Sequence, residues 1–239
     1  MQTPVIVDSF IEGPGGVLHM QQSGIPGIGL TLVYVPGMLG RAEDFSDDYQ
    51  RFAPRHCAAV SLRGRGRSAA PDHGYTFSDH VDDLEQLVDH LDQQSVVFLT
   101  HSAGSAFAAG LLQRRPNLAG GMIVIDYPPL YPAPDSSWAN AVSEGRDEQA
   151  QHVISRLHLE GETVLLLDAI PAELPTLVVT GDSSEAMLGP VDAEKLYQAR
   201  LSHCQVACIA GAGHEPWLAD GDLFWSTITT FVEAIDTDA

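Results

Sequence analysis

Residues 96–110 read VVFLTHSAGSAFAAG. Val96, Val97, Phe98 and Leu99 make a short apolar run rich in β-branched and aromatic residues, the pattern of a strand covered on both faces. From Ala106 to Leu112 the composition is that of a helix face. Only a few residues join the two, all small except His101, and Ser102 stands at the tip of the turn. A turn this abrupt holds the serine oxygen above the end of the strand, and its small flanking residues let the strand and helix backbones come close. A serine at a helix N-terminus also serves as a simple cap. The surrounding chain has to decide between the two uses.

Apolar runs alternate with helix-like stretches from about residue 57 onward. Strands are predicted at 5–11, 16–21, 31–36, 57–62, 95–100, 121–126, 175–180 and 204–209, and helices at 43–53, 78–92, 103–115, 191–201 and 222–236. In the second helix, Val81, Leu84, Leu87, Val88 and Leu91 fall near helical spacing, with Ser78 and Asp79 as caps. The first three strands have no helix between them and predict an antiparallel meander. After them, strand–helix alternation predicts a mostly parallel sheet with helices on both faces. Residues 127–175 do not fit that alternation. YPPLYPAPDSSW is rich in proline and aromatic residues, and EGRDEQAQHVISRLHLEG has helical character. A bare loop of that length is unusual, so a small helical cap inserted over one end of the sheet is expected, within a single domain spanning 1–239.

The balance of 12 basic against 32 acidic residues leaves a formal net charge of −20, which argues against nucleic acid or an anionic membrane as a partner. No apolar run approaches the ~20 residues that span a bilayer, and MQTPVIVDSFIEGP lacks the basic and apolar regions of a secretory signal. The cysteines are Cys57, Cys204 and Cys208. The last two share a predicted strand, about 13 Å apart by strand rise, too far for a disulfide. No metal-ligand spacing of Cys and His occurs. Buried, reduced thiols and a cytoplasmic location are expected.

In a parallel sheet, ligands gather at the carboxyl ends of the strands. Thr100-His101-Ser102-Ala103-Gly104 has the small-x-Ser-x-small form of a nucleophile elbow, with Thr where Gly is usual. After the last strand comes Gly211-Ala212-Gly213-His214-Glu215-Pro216, whose glycines leave the imidazole free to reach the sheet end. Ser before His is the chain order this elbow implies. After the third strand, Pro36-Gly37-Met38-Leu39-Gly40 presents backbone amides. Acyl transfer needs donors aimed at a developing oxyanion, and Met38 N–H and Ala103 N–H are the natural pair.

With these motifs the chain resembles the α/β-hydrolase fold superfamily, from about residue 30 to its end. Ser61-Leu62-Arg63-Gly64-Arg65-Gly66-Arg67-Ser68 is similar to that family's Asp-x-Arg-Gly-x-Gly-x-Ser loop, with Ser61 in place of the Asp, and Pro36 replaces a common His before the oxyanion glycine. The resemblance implies an eight-stranded, mostly parallel sheet flanked by helices, and it makes the arginine run a structural loop. It also implies a Ser–His–acid triad with no metal, nucleotide or flavin. The family usually supplies the acid after strand seven as Gly-x-x-Asp, a place that Ser184 occupies here, with Asp182 and Glu185 on either side. Members that place it after strand six resemble this chain at Asp126. Asp126 is therefore the expected acid, with Asp182 or Glu185 as alternatives.

The resulting expectation is a carboxylesterase or lactonase: Ser102 attacks a carbonyl, His214 moves the proton and water clears the acyl-enzyme. A serine in the elbow argues against dehalogenase or epoxide hydrolase chemistry, which in this family runs through a carboxylate ester. The same fold also runs carbon–carbon hydrolysis, lyase and cofactor-free oxygenase reactions, and serves as a non-catalytic receptor; these are the alternative readings. Gly37, Leu39, Tyr127, Leu130, Trp138 and Trp217 are candidate substrate-binding residues, with Tyr131, Val153 and Leu157 as further pocket walls; packing the cap onto the sheet is the alternative role for the cap residues and Trp217. Such a pocket suits a small or medium apolar ester or lactone.

Overall fold

The computed structural model describes residues 5–238. In chain order the strands and helices are β1 (Val7–Gly13), β2 (Gly16–Ser23), β3 (Thr31–Val35), α1 (Tyr49–Phe52), β4 (Cys57–Ser61), α2 (Phe77–His90), β5 (Val96–His101), α3 (Ala103–Arg114) and β6 (Ala119–Ile125). They continue with β7 (Leu130–Tyr131), α4 (Ser136–Ser143), α5 (Glu148–Glu160), β8 (Val164–Leu165), β9 (Thr176–Gly181), α6 (Pro190–Ala193), β10 (Cys204–Ile209) and α7 (Gly221–Asp238). Eight of the strands form one sheet in the order β1-β2-β4-β3-β5-β6-β9-β10. Only β2 runs against its neighbours; all other pairs are parallel. This is the eight-stranded, mostly parallel sheet that the resemblance implies.

The expected meander of the first three strands is corrected. Only β1 and β2 form a hairpin, and β2 pairs next with β4, while β3 lies between β4 and β5. The reason is burial. Leu32, Val33 and Val35 are wholly buried, so β3 is apolar on both faces and belongs in the sheet interior, whereas β1 is largely exposed at the edge.

Alternation along the central strands feeds two cores. Val96 and Phe98 of β5 face one side, with Leu84 and Leu87 of α2 and Phe107 and Leu111 of α3. Val97 and Leu99 face the other, with Phe45, Tyr49 and Phe52 and with Phe224, Ile228 and Phe231 of α7. Each such side chain removed from water contributes about 1.5–3 kcal/mol, so both faces hold the sheet in place.

Several boundaries moved for local reasons. Helix α2 starts at Phe77 because Thr76, not Ser78, is its cap: the Thr76 hydroxyl accepts from Asp79 N–H and the Asp79 carboxylate accepts from Thr76 N–H. The helix expected at 43–53 is two short pieces, a 3-10 turn over Ala42–Phe45 and α1. The one expected at 191–201 is α6 followed by a π-helical turn over Glu194–Gln198. Only Cys57 is buried; Cys208 is exposed because β10 is the other edge of the sheet, and all three thiols are free.

Between β6 and β9 the chain builds a β7–β8 hairpin and the helices α4 and α5, capped by Asp135 and Asp147 through Trp138 N–H and Ala150 N–H. Val153 and Leu157 of α5 pack on Tyr75, and Gln149 Nε2 donates to Gly64 O at 3.0 Å, which ties this segment to the loop after β4. No helix among the described residues is long and apolar enough to cross a membrane.

Candidate active site

Ser102 joins β5 to α3 with φ 53 and ψ −133, a backbone conformation that costs an L-residue about 1–3 kcal/mol. Its neighbours hold it there. Ser102 N–H donates to Ile125 O at 3.1 Å, which ties the turn to the end of β6. At Thr100, where glycine is usual, the hydroxyl donates to Ile123 O at 2.6 Å and accepts from Ser105 Oγ at 2.8 Å. Gly104 is required by contact, since a Cβ there would lie 2.3 Å from Val35 O and 2.5 Å from Pro36 O. The Ser102 side chain makes no capping hydrogen bond to α3, so the cap use of this serine is absent.

His214 follows β10, and its Nδ1 lies 2.8 Å from Asp126 Oδ2. A carboxylate at Nδ1 selects the Nδ1–H tautomer and leaves Nε2 as the acceptor. Asp126 is wholly buried at the end of β6, with φ 46. Its oxygens also accept from Met187 N–H and Leu188 N–H, each at 2.8 Å, so the carboxylate is ringed by donors and cannot swing away. Neither alternative carboxylate is bonded to the imidazole. Asp182 is exposed and accepts from Gly211 N–H at 2.6 Å, bracing the turn that leads to His214. Glu185 is exposed too, beside Gly213.

Met38 N–H and Ala103 N–H make no hydrogen bond among the described residues. Ala103 opens α3, so its amide is one of the free donors at the positive end of a helix. Gly37 keeps the approach open: a Cβ there would stand 3.2 Å from Ser102 Cβ and 3.3 Å from His101 Nδ1.

A cavity of about 1180 Å³ opens over Ser102 and His214. Gly37, Met38, Leu39, Ala103, Tyr127, Trp138 and Trp217 all line it. Leu130 does not, and is corrected: it pairs with Leu165 in the β7–β8 hairpin. Val153 and Leu157 are instead buried against Tyr75, and Tyr131 against Phe77 and Phe107. All three lie between β6 and β9 and pack that stretch against Tyr75, Phe77 and Phe107.

Sequence reasoning missed a second part of the wall, formed by Tyr34, Arg51, Phe224 and Trp225. These residues come from β3, α1 and α7, and no local motif links them. It also passed over His101. His101 Nε2 lies 2.9 Å from His214 O, and its ring stands 4.7 Å from that of His214 and edge-on to Trp217 at 4.8 Å. Burial lowers its pKa to about 4, so it is a neutral N–H donor that anchors the His214 backbone. No group of three or more potential metal ligands gathers among the described residues.

A family model described as alpha/beta hydrolase fold matches residues 31–166. A haloalkane dehalogenase of Bradyrhizobium diazoefficiens is 30% identical over 117 residues, 48% of this chain and 38% of that protein. The matched chain spans less than half the length of the curated relatives it resembles. Among solved structures, the haloalkane dehalogenase DbeA from Bradyrhizobium elkani USDA94 superposes with a TM-score of 0.80 at 20% identity, covering 98% of this chain and 100% of that one. The carboxylesterase CesB from Bacillus subtilis superposes with a TM-score of 0.73 at 16% identity, over 95% and 92% of the two chains. At these identities the structural likeness is one of fold.

Proposed function

The chain belongs to the α/β-hydrolase family, and within it we propose a serine hydrolase that cleaves small-to-medium apolar carboxylic esters or lactones through an acyl-enzyme. One observation carries this reading: a serine held in a strained elbow opens on the same cavity as a histidine bonded to a buried aspartate at 2.8 Å. Ser102 Oγ attacks the carbonyl carbon while His214 Nε2 takes its proton, and Asp126 stabilises the imidazolium that forms. The Met38 and Ala103 amides receive the oxyanion. As the tetrahedral species collapses, the leaving alkoxide takes the proton from His214, and water then attacks the acyl-enzyme by the same route in reverse.

Some relatives are haloalkane dehalogenases, and the nucleophile argues for a different bond here. Displacement of a halide by Ser102 leaves an alkyl ether that water does not clear, whereas an acyl ester on Ser102 has a carbonyl that water attacks. Residues 127–175 act in this reading as a cap within the same domain, supported by Tyr127 and Trp138 lining the same cavity as Met38, Leu39 and Trp217. These walls suit an apolar substrate, and the carboxylates that also line the cavity, Asp44, Asp48, Asp135, Glu215 and Asp222, disfavour an anionic one. The three free thiols suit a reducing, cytoplasmic setting.

The test is intact mass after exposure to a fluorophosphonate, with wild type beside Ser102→Ala. A single adduct on wild type alone is expected. No adduct on folded wild type overturns the reading. Release of a ketone or aldehyde without an acid product, in a later substrate screen, would move the chemistry away from ester cleavage.

A further inference from the structure

The three arginines of the loop after β4 have three different environments. Arg67 is exposed, pairs with Asp8 at 2.6 Å and lies over the Phe10 ring. Arg63 is buried and chelated by Asp83 through Nε at 2.7 Å and Nη2 at 2.6 Å. Arg65 is buried as deeply, 4% exposed, yet no carboxylate joins it among the described residues. Its partners are Met38 O (from Nε, 2.9 Å), Arg63 O (from Nη1, 2.6 Å) and His80 Nε2 (from Nη1, 2.8 Å), and its Nη2 is buried with no hydrogen-bond partner among the described residues.

His80 does not neutralise it. The His80 ring is wholly buried, its Nδ1–H donates to Thr76 O at 2.7 Å, and burial together with the Arg65 charge keeps it uncharged. Arg65 remains a cation at neutral pH, since burial lowers its pKa only to about 10. A guanidinium withdrawn from water without a counter-ion is costly, and an apolar residue of similar volume generally costs less. Gly64 and Gly66, both at positive φ, make the turn and do not need the arginine between them. What the charge does touch is the carbonyl of Met38, the residue whose amide is the candidate oxyanion donor.

We propose that Arg65 is a positioning residue of the oxyanion loop, fixing Met38 through its carbonyl and setting an uncompensated positive charge beside the residue that receives the oxyanion. The inference rests on the serine-hydrolase reading above. A donor held in place before reaction needs no reorganisation as charge develops, and a fixed cation nearby favours the charged tetrahedral state over the neutral ester. Its effect therefore falls on kcat rather than on KM.

The experiment compares wild type with Arg65→Gln, Arg65→Met and Arg65→Lys. It reads the rate of phosphonylation by a fluorophosphonate and kcat and KM on p-nitrophenyl butyrate, with circular dichroism as the check of folding. Glutamine and methionine are expected to slow phosphonylation and lower kcat by about ten- to a hundredfold, with KM within about twofold, and lysine to recover most of both rates. Wild-type rates in the Gln and Met variants overturn the proposal, as does a change confined to KM or a lysine variant no faster than methionine. Failure of both the Gln and Met variants to fold makes Arg65 a structural residue and overturns it too. If wild type takes no label, the serine-hydrolase reading itself fails and this inference falls with it; labelled wild type with unaffected variants sinks this inference alone.

Discussion

Asp126 Oδ2 and His214 Nδ1 meet at 2.8 Å across 88 residues of chain, from the end of β6 to the loop beyond β10. The strand between them in the sheet, β9, contributes no carboxylate to the contact. Its following loop turns backbone toward the site: Met187 and Leu188 N–H hold Asp126, while Asp182 and Glu185 face solvent.

Asp126→Asn is accordingly expected to lower kcat by about 10³–10⁴ by removing the charge that fixes the His214 tautomer. Asp182→Asn and Glu185→Gln are expected to cost less than about tenfold, since each leaves the imidazole contact intact. Steady-state kinetics on one ester across the three variants decides it. A larger loss in Asp182→Asn or Glu185→Gln would assign the acid to the β9 loop.

Ser102 carries the cost of its backbone in order to expose its hydroxyl. Ser102→Gly removes the Cβ from a residue at φ 53 and is expected to raise stability by about 1 kcal/mol while abolishing activity. Chemical denaturation beside an activity assay checks both halves. A glycine variant less stable than wild type would mean that the turn is not strained. His214→Ala is expected to lower kcat by about 10³ or more, with folding retained.

Gly104 has no room for a methyl, because the obstructing atoms are the backbone carbonyls of Val35, at the end of β3, and of Pro36 just after it, and they cannot rotate aside. Gly104→Ala is expected to destabilise by about 2 kcal/mol or more, whereas Gly189→Ala, where a Cβ meets nothing within 4 Å and only the N-cap preference of α6 is at stake, is expected to cost no more than about 1 kcal/mol. Equal midpoints of urea unfolding for the two variants would contradict the close approach at the elbow.

Acid should weaken the fold below neutrality through His80 and His101. Folding depresses the pKa of His80 well below its ordinary value and that of His101 to about 4, each chiefly by burial. Between pH 6.5 and 4 the unfolded chain therefore binds protons that the folded chain does not. The stability these groups contribute is complete above about pH 6.5 and falls as the pH drops, by about 1.4 kcal/mol per pH unit for each histidine. Urea unfolding at pH 7, 6 and 5 measures the slope, and His101→Gln, which keeps an N–H donor near His214 O, should reduce it by about one proton. A slope unchanged in that variant would remove His101 from the account.

The chain order of elements and the chemistry of single loops were determined by the sequence. Val96–Leu99 is apolar throughout and ends in small residues, so strand, turn and helix follow from neighbours a few bonds apart. The glycines around His214 and the Pro36–Gly40 turn are legible for the same reason: sterics and backbone freedom act over short distances. Tertiary structure decided what depends on distance through space. It set β3 between β4 and β5, brought Asp126 rather than Asp182 or Glu185 to the imidazole, and put Trp138 in the cavity wall but Leu130 in a hairpin. Arg63 and Arg65 look equivalent in the sequence, two residues apart on either side of a glycine. Only packing separates them, because α2 offers Asp83 to one guanidinium and the neutral ring of His80 to the other. A side chain's charge is written in the sequence, but its counter-ion is supplied by whichever element the fold brings against it.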